Sequence, residues 1–326
     1  KTSVLEALYF CSTGRSFKSS NKNLCIQNDK EAFKIQVETL NNNKICVLKE
    51  AKKSISLEID EKKATSIELF RTIPSTLLDN KTFSMFADTP KYRRKILDRC
   101  LMASDKNYSK DFFSFHRSLK QRNAALKFKR LTNIEMWSEI FINSGTSISE
   151  KRNNFFEETK QTFFKFTEHL SDKRVLEIIH SLEIFFYQGW ATDHTLKQAL
   201  ELKRDTDQRK TLTSSGPHRA DVKFLIKDSD IKYILSRGEQ KFMSILWCLS
   251  MHKTLSDFYG ISPFLIIDDI HSELDDDFYG ELINFLPKTG NQLFFSDISN
   301  PFNSKIKERL KELKKFHVEQ FTNAEK

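Results

Sequence analysis

Apolar positions follow three different rhythms along this 326-residue chain. Near the start, Val4, Leu5, Leu8 and Cys11 recur at helical spacing, and Gly14 stops the pattern. A period of two follows. Phe33, Ile35 and Val37 alternate with polar residues, then Ile45 and Val47, then Ile55, Leu57 and Ile59, with Asn41-Asn42-Asn43 in the first gap. This predicts an antiparallel meander. Pro74 and Pro90 bracket a transition. From Lys91 to Arg174 apolar residues return at three and four, which predicts long helices such as Arg94–Phe128 and Met136–Leu170, with Ser144-Gly145-Thr146 as a candidate break.

Beyond that stretch the rhythm shortens again. Leu182–Tyr187 predicts a strand and Thr195–Leu202 a helix. Val222–Ile226 and Ile231–Leu235 predict a hairpin around Asp228-Ser229-Asp230. Gly238–Leu255 predicts an apolar helix, and Phe264–Ile267, apolar at every position, a buried parallel strand. Asp275–Leu286 predicts a helix, Leu293–Phe295 a buried strand, and Phe316–Phe321 a closing strand. Alternating strands and helices imply βαβ units. The expected architecture is an α/β head built from the two ends of the chain, residues 1–89 and 205–326, with a helical lobe inserted over residues 90–204.

Composition narrows the class. Hydrophobic residues make up 39% and charged residues 30%, which supports a packed core and excludes global disorder. No apolar run approaches the roughly 20 residues that cross a bilayer, so no membrane partner is expected. The five cysteines are scattered and odd in number, without a C-x-x-C pair. That pattern supports neither a zinc site nor a disulfide framework and fits a reducing cytoplasm. The formal net charge of +9 suits a polyanionic partner and suits solvated helix faces equally well.

The candidate chemistry sits mostly in the last third. Phe264-Leu265-Ile266-Ile267-Asp268-Asp269 reads as a buried strand ending in two acids. In nucleotide hydrolases the first acid at such an end holds Mg²⁺, and the second positions a water for in-line attack. Ser272-Glu273-Leu274-Asp275 continues as the short acidic turn of ABC-type ATPases. Upstream, Leu235-Ser236-Arg237-Gly238-Glu239-Gln240-Lys241 matches the ABC signature L-S-G-G-Q, with Arg for the first Gly and Glu inserted before Gln. Ser236 can cap the following helix and aim a hydroxyl and free N–H groups at an anion, and Gly238 admits a phosphate close to the backbone. Lys1-Thr2 reads as the close of a P-loop, G-x-x-x-x-G-K-[ST], whose glycines would precede Lys1. Lys1 would then reach the β/γ-phosphates, and Thr2 would bind Mg²⁺. ATP contacts are therefore expected at Lys1, Thr2, Ser236, Gly238 and Gln240, metal ligation at Thr2 and Asp268, and catalysis at Asp269.

These motifs, with Lys1–Ser20, Pro90–Asp98, Leu119–Ala124 and Ser215–Asp221, span nearly the whole chain in order. Together they resemble the RecF family of ABC-type ATPases, relatives of the heads of chromosome-maintenance proteins. The resemblance implies a weak DNA-dependent ATPase that dimerises on double- and single-stranded DNA when ATP binds. It implies cooperation with RecO and RecR in loading a recombinase at single-stranded gaps during replication, recombination, repair and the SOS response to DNA damage.

Three departures accompany it. Ser296-Asp297 offers no imidazole where many ABC proteins carry a switch histidine. No glutamine near Ile73-Pro74-Ser75-Thr76 supplies the usual Mg²⁺ contact. Asp269 stands where most ABC proteins have Glu, about 1.5 Å shorter in reach, and a misplacement of that size costs about a hundredfold in rate, so slow hydrolysis is expected. A scaffold that keeps the fold without the chemistry and a transporter ATPase subunit are the rival readings.

In the helical lobe, Arg93, Arg94, Arg117, Lys120 and Arg122 are the expected DNA contacts, in a basic set that includes Lys91, Lys95, Arg99, Lys127, Lys129 and Arg130. Phe112, Phe113 and Phe115 could serve as base-stacking platforms, but at helical spacing they are expected in the core. Gly216-Pro217-His218-Arg219 reads either as a turn facing nucleotide or DNA, or as a rigid turn before the next strand.

Overall fold

A computed structural model describes residues 2–82, 84–87, 89–129, 134–269, 274–296 and 314. Numbered along the chain, the elements begin with α1 (Thr2–Thr13), β1 (Ala32–Glu38), β2 (Lys44–Glu50), β3 (Ser56–Ile59), β4 (Lys62–Lys63), α2 (Ser66–Thr72) and β5 (Ser75–Leu78). Helices α3 (Ser84–Ala87), α4 (Pro90–Ser104), α5 (Lys106–Lys127), α6 (Ile134–Thr167) and α7 (Lys173–His180) follow. Then come β6 (Leu182–Tyr187), α8 (Leu196–Leu202), α9 (Arg204–Lys210), β7 (Asp221–Ile226) and β8 (Ser229–Asp230). The last elements are α10 (Arg237–Tyr259), β9 (Phe264–Asp268), α11 (Asp276–Phe285) and β10 (Leu293–Ser296). Two compact units result. One comprises residues 1–83, 237–256 and 260–326, the other residues 84–236 and 257–259.

In the first unit a parallel sheet of order β10-β9-β5 and an antiparallel sheet of order β1-β2-β3-β4 share α1. Leu5, Leu8 and Tyr9 pack with Phe264, Ile266, Leu77 and Phe294 of the parallel sheet. Phe10 and Cys11 pack with Ile45, Val47, Leu57 and Leu69 on the antiparallel side. A helix enclosed by two sheets must be apolar on both faces, and each such side chain contributes about 1.5–3 kcal/mol when fully buried. The helix stops where Gly14 takes a φ of 63° and its N–H reaches Phe10 O at 2.7 Å, a left-handed C-cap that glycine adopts without Cβ strain. Strand β9 is central, paired in parallel with β5 and β10, and buried from Phe264 to Ile267. The run expected over Phe316–Phe321 lies outside the described residues.

In the second unit α5 and α6 form an antiparallel hairpin, with Phe115 and Phe141 rings 4.9 Å apart. The single helix predicted over Arg94–Phe128 is two helices. Asp105 breaks it, taking an extended φ/ψ of −128°/117° and capping α5 through Asn107 N at 2.7 Å. Ser144-Gly145-Thr146 does not interrupt α6, which runs for 34 residues. Gly145 is there for packing, since a Cβ would lie 2.8 Å from Leu196 Cδ2. The hairpin predicted after Val222 turns earlier than expected. Lys227 and Asp228, with φ of 48° and 63°, form the two-residue loop to β8, and Ile231–Tyr233 is a 3₁₀ turn in place of a second strand. This unit continues through Ser236, past the residue 204 where the sequence ends the lobe, because β7 pairs antiparallel with β6 over six residues.

Candidate functional site

The carboxyl end of the parallel sheet collects the polar groups. The register pairs Leu78 with Ile267 and Ser296 with Asp268, so Asp79, Asp268 and Ser296 stand on one row as the three strands end. Ligands of open α/β sheets bind outside this end. Apolar Phe264–Ile267 bury the strand up to that row. Asp268 is half-buried and accepts a hydrogen bond from Ser296 Oγ at 2.7 Å. Asp269 follows with a φ of 52°, a left-handed conformation that Asp tolerates better than most residues and that turns the chain off the sheet. Thr2 opens α1, and Leu5, one turn later, packs with Ile266, two residues before Asp268. Lys1, Ser272, Glu273 and Asp297 lie outside the described residues.

Asp79 and Ser296 were not anticipated as site residues. Ser75-Thr76-Leu77-Leu78-Asp79 carries the same signal as Ile266-Ile267-Asp268, an apolar run ending in an acid, but its run is short. Asp79 Oδ1 accepts from the N–H groups of Lys81 and Thr82 at 3.0 and 3.1 Å, and Thr82 Oγ1 accepts from Asp79 N at 2.9 Å. Lys81 Nζ in turn donates to Phe17 O. Burial pushes the Asp79 carboxyl above the usual carboxylate range. This knotted loop occupies the place where no glutamine was found. Ser296 occupies the strand end where no histidine was found.

Gly238 lies in the first turn of α10. A Cβ there would meet only Phe278 Cε2 at 3.6 Å and Asp275 Oδ2 at 3.8 Å, ordinary contact distances. Glycine in a helix is worth about 1 kcal/mol less than alanine, and among the described residues no packing contact requires it. Ser236 and Arg237 are exposed and Gln240 is half-buried. Asp275 caps α11 through Phe278 N at 2.9 Å, and Phe278 stacks on Phe242 of α10 at 4.9 Å. Asp275 and the start of α10 are therefore neighbours within one chain. Among the described residues no group of three His, Cys, Asp or Glu side chains could hold a metal. Mg²⁺ typically takes one or two carboxylates plus phosphate oxygens, and Asp268 supplies one such carboxylate at the strand end.

The second unit sorts the predicted DNA contacts. Arg122 is 4% exposed and donates to Asp207, Thr213 and Ser138 at 3.0, 2.6 and 3.1 Å. Arg93 forms a bidentate pair with Asp221 at 2.7 and 3.0 Å and donates to Met85 O. Arg94 donates to Ala220 O at 2.6 Å. A guanidinium whose donors are held inside a fold is not a surface cation, so Arg122 and Arg93 leave the proposed DNA set, and Arg94 serves the lobe. Arg117 and Lys120 are exposed. Phe115 is core, as expected, whereas Phe113 is 57% exposed. In the Gly216 turn, His218 donates from Nε2 to Thr213 O at 2.9 Å, and burial pushes its pKa down to about 4. Gly216 has a φ of 137°, and a Cβ would meet Phe141 at 2.6 Å. Arg152, fully buried, bridges Pro217 O to Asp98. The turn is a rigid internal one that leaves Arg219 exposed. Among the described residues no helix is long and apolar enough to cross a membrane.

No family model matches the chain. Curated relatives do. The DNA replication and repair protein RecF of Pseudoalteromonas translucida is 32% identical over 328 residues, covering 98% of this chain and 88% of its own length. That of Vibrio campbellii is 30% identical, covering 98% and 89%. Among solved structures, the recombination mediator protein RecF with ATP superposes with a TM-score of 0.76 at 27% identity, covering 91% of this chain and 82% of that one. The Smc head domain of Pyrococcus furiosus, at 12% identity and a TM-score of 0.50 with 93% and 82% covered, shares the fold alone. The curated relatives match the chain at 30–32% identity over nearly its whole length, and the chain belongs to the RecF family of DNA replication and repair proteins.

Proposed function

We propose that the chain is an ATP-dependent, DNA-binding recombination mediator of the cytoplasm, working as a clamp. The observation that carries this reading is the acid row at the carboxyl end of a parallel sheet, with Asp268 held by Ser296 at 2.7 Å. Thr2 and Asp268 would hold Mg²⁺, and Lys1 would hold the β/γ-phosphates. Ser236, Gly238 and Gln240 of a second copy close on the γ-phosphate, where the spare room at Gly238 supports close backbone approach. Bound ATP with Mg²⁺ supplies a phosphoryl group activated for transfer to water. Asp269 orients that water, and its short side chain makes turnover slow. Each site needs residues of two copies, so nucleotide drives homodimerisation. The dimer holds DNA, and hydrolysis releases it. RecO and RecR are the expected partners, the family's structures being described in the RecFOR pathway.

Light scattering of the full-length protein with and without a slowly hydrolysed ATP analogue tests the clamp. A doubling of mass is expected, and an unchanged mass removes the mechanism. Turnover near ordinary enzyme rates, about 10 s⁻¹, would contradict the assigned role of Asp269.

A further inference from the structure

The exposed cations of the α5–α6 hairpin are not spread evenly. Lys106, Lys110, Phe113, Arg117, Lys120 and Lys127 are all exposed. They follow one another along α5 at intervals of three, four or seven residues, and so form a single stripe. At 22 residues the helix is about 33 Å long. Its opposite face is core, with Tyr108, Phe115, Arg122 and Leu126 buried. The acids beside the stripe are engaged across the hairpin. Asp105 and Asp111 both pair with Lys151 of α6, at 2.8 and 3.1 Å. The exposed side of α6 carries Glu135, Glu139, Glu150 and Glu157, with Lys165 alone of the opposite sign near its C-terminal end. The two helices of one hairpin therefore present opposite signs.

A merely solvated helix face mixes its charges, because opposite pairs three or four apart stabilise it and like pairs cost about 0.2–0.5 kcal/mol each. Lys106–Lys110 and Arg117–Lys120 are like pairs at those spacings. A uniform basic stripe that leans against stability points to a polyanion as its counterpart. Phe113, in the middle of it, narrows the choice. An exposed ring among cations is what an unpaired base stacks on, whereas a duplex keeps its bases stacked on one another. Phe112, edge-on at 5.8 Å, flanks the ring.

We propose that this face of α5 is a track for single-stranded DNA, with the five cations neutralising successive backbone phosphates and Phe113 stacking a base. The proposal rests on the DNA-binding reading above and adds the surface and the strand state.

The test uses the full-length protein and fluorescence anisotropy with a labelled single strand and a duplex of equal length, over a salt series. Substituting Lys110→Gln, Lys120→Gln and Lys127→Gln together is expected to flatten the log–log salt slope for the single strand by about 2, roughly 0.7 for each lost phosphate contact. A control triple, Lys165→Gln, Lys173→Gln and Lys197→Gln, removes the same charge from exposed positions elsewhere on this unit and leaves the slope in place. Phe113→Ala is expected to weaken single-strand binding roughly five- to a hundredfold and leave the duplex unchanged. Equal slopes for the two triples overturn the track while leaving DNA binding intact. Equal weakening on both DNAs by Phe113→Ala overturns the single-strand assignment. Wild-type protein that binds neither DNA at low salt overturns the DNA-binding reading itself.

Discussion

His252 should make the first unit acid-sensitive through one identifiable set of hydrogen bonds. It lies in α10, the helix that begins at the signature residues, and is 1% exposed. Asn291 Nδ2 donates to its Nε2 at 2.8 Å, so Nδ1 carries the proton and donates to Thr76 Oγ1 at 2.9 Å. Asn291 also donates to Ser256 Oγ at 3.0 Å. The ring therefore ties α10 to β5 and to the approach to β10, the two strands flanking the acid-bearing β9. Protonation would set a second N–H against the donating amide. Burial, reinforced by the Lys253 charge, pushes the pKa down to about 4 from the ordinary 6.5.

The folded state therefore disfavours the charged ring, by about 3 kcal/mol at 1.36 kcal/mol per pH unit. Because the folded value is the depressed one, this stability is complete above pH 6.5. It is lost as pH falls from 6.5 towards 4, with about 2 kcal/mol gone at pH 5. Urea unfolding of wild type and His252→Gln at pH 8 and pH 5, followed by circular dichroism, isolates the contribution. His218 and the carboxylates titrate in both proteins and cancel in the difference. Wild type should lose about 2 kcal/mol more than the variant. Equal losses would show that the pocket accommodates the charged ring and would refute the reasoning.

Three further outcomes follow from named contacts. Asp269→Asn keeps a residue that tolerates the observed φ of 52°, so melting should be unchanged while phosphate release falls by about 10²–10⁴-fold; background release equal to wild type would favour the scaffold reading. Gly238→Ala should raise Tm by about 2 °C through helix propensity yet abolish the nucleotide-driven increase in mass, and a variant that still dimerises would remove Gly238 from the phosphate shell. Arg122→Gln should destabilise the protein by about 3–5 kcal/mol, since it leaves the Asp207 carboxylate buried without its charged partner. DNA affinity measured on the folded protein should not change, and a selective loss of DNA binding would return Arg122 to the interface.

The parts of the fold legible in the sequence are those where one burial rule acts alone. Phe264–Asp268 reads as a central parallel strand because both its faces are covered, and no helical or alternating period competes. Thr195–Leu202 reads as a helix because a capping box closes it, Thr195 and Gln198 bonding each other's backbone. The break at Asp105 is hidden by apolar spacing that continues across it, since Leu101, Tyr108 and Phe115 all face the core. Ile231–Leu235 alternates well enough for a strand, but Ile231 and Leu235 are buried while Tyr233 is 80% exposed on a 3₁₀ turn, a difference set by tertiary contact. The acids at 268 and 269 stand out less by ending an apolar run, which an emerging strand often does, than by the acidic residues that follow at 273 and 275. Asp79 was missed because the run before it is short and follows a proline. Ser296 was missed because a hydroxyl acquires meaning only from its register partner.

Basic residues show the same limit from the other side. Arg93, Arg122 and Arg117 are chemically identical, and all three sit on amphipathic helices, so the sequence offers no ground for separating them. What separates them is whether a carboxylate waits inside. Asp221 and Asp207 are far along the chain from Arg93 and Arg122, a pairing no local pattern encodes. Desolvating a guanidinium costs several kcal/mol unless its donors are matched, so an arginine whose donors are all used internally has been placed for the fold. Arg117, stacked 5.9 Å over Trp137 with its charge still in water, has not been used in that way. Lys110, Lys120 and Lys127 of α5 are informative for the same reason, because they stay exposed while Asp111 of the same helix pairs with Lys151. A surface that keeps exposed positive charge while a neighbouring acid is engaged within the same hairpin is suited to a counterion from outside the chain.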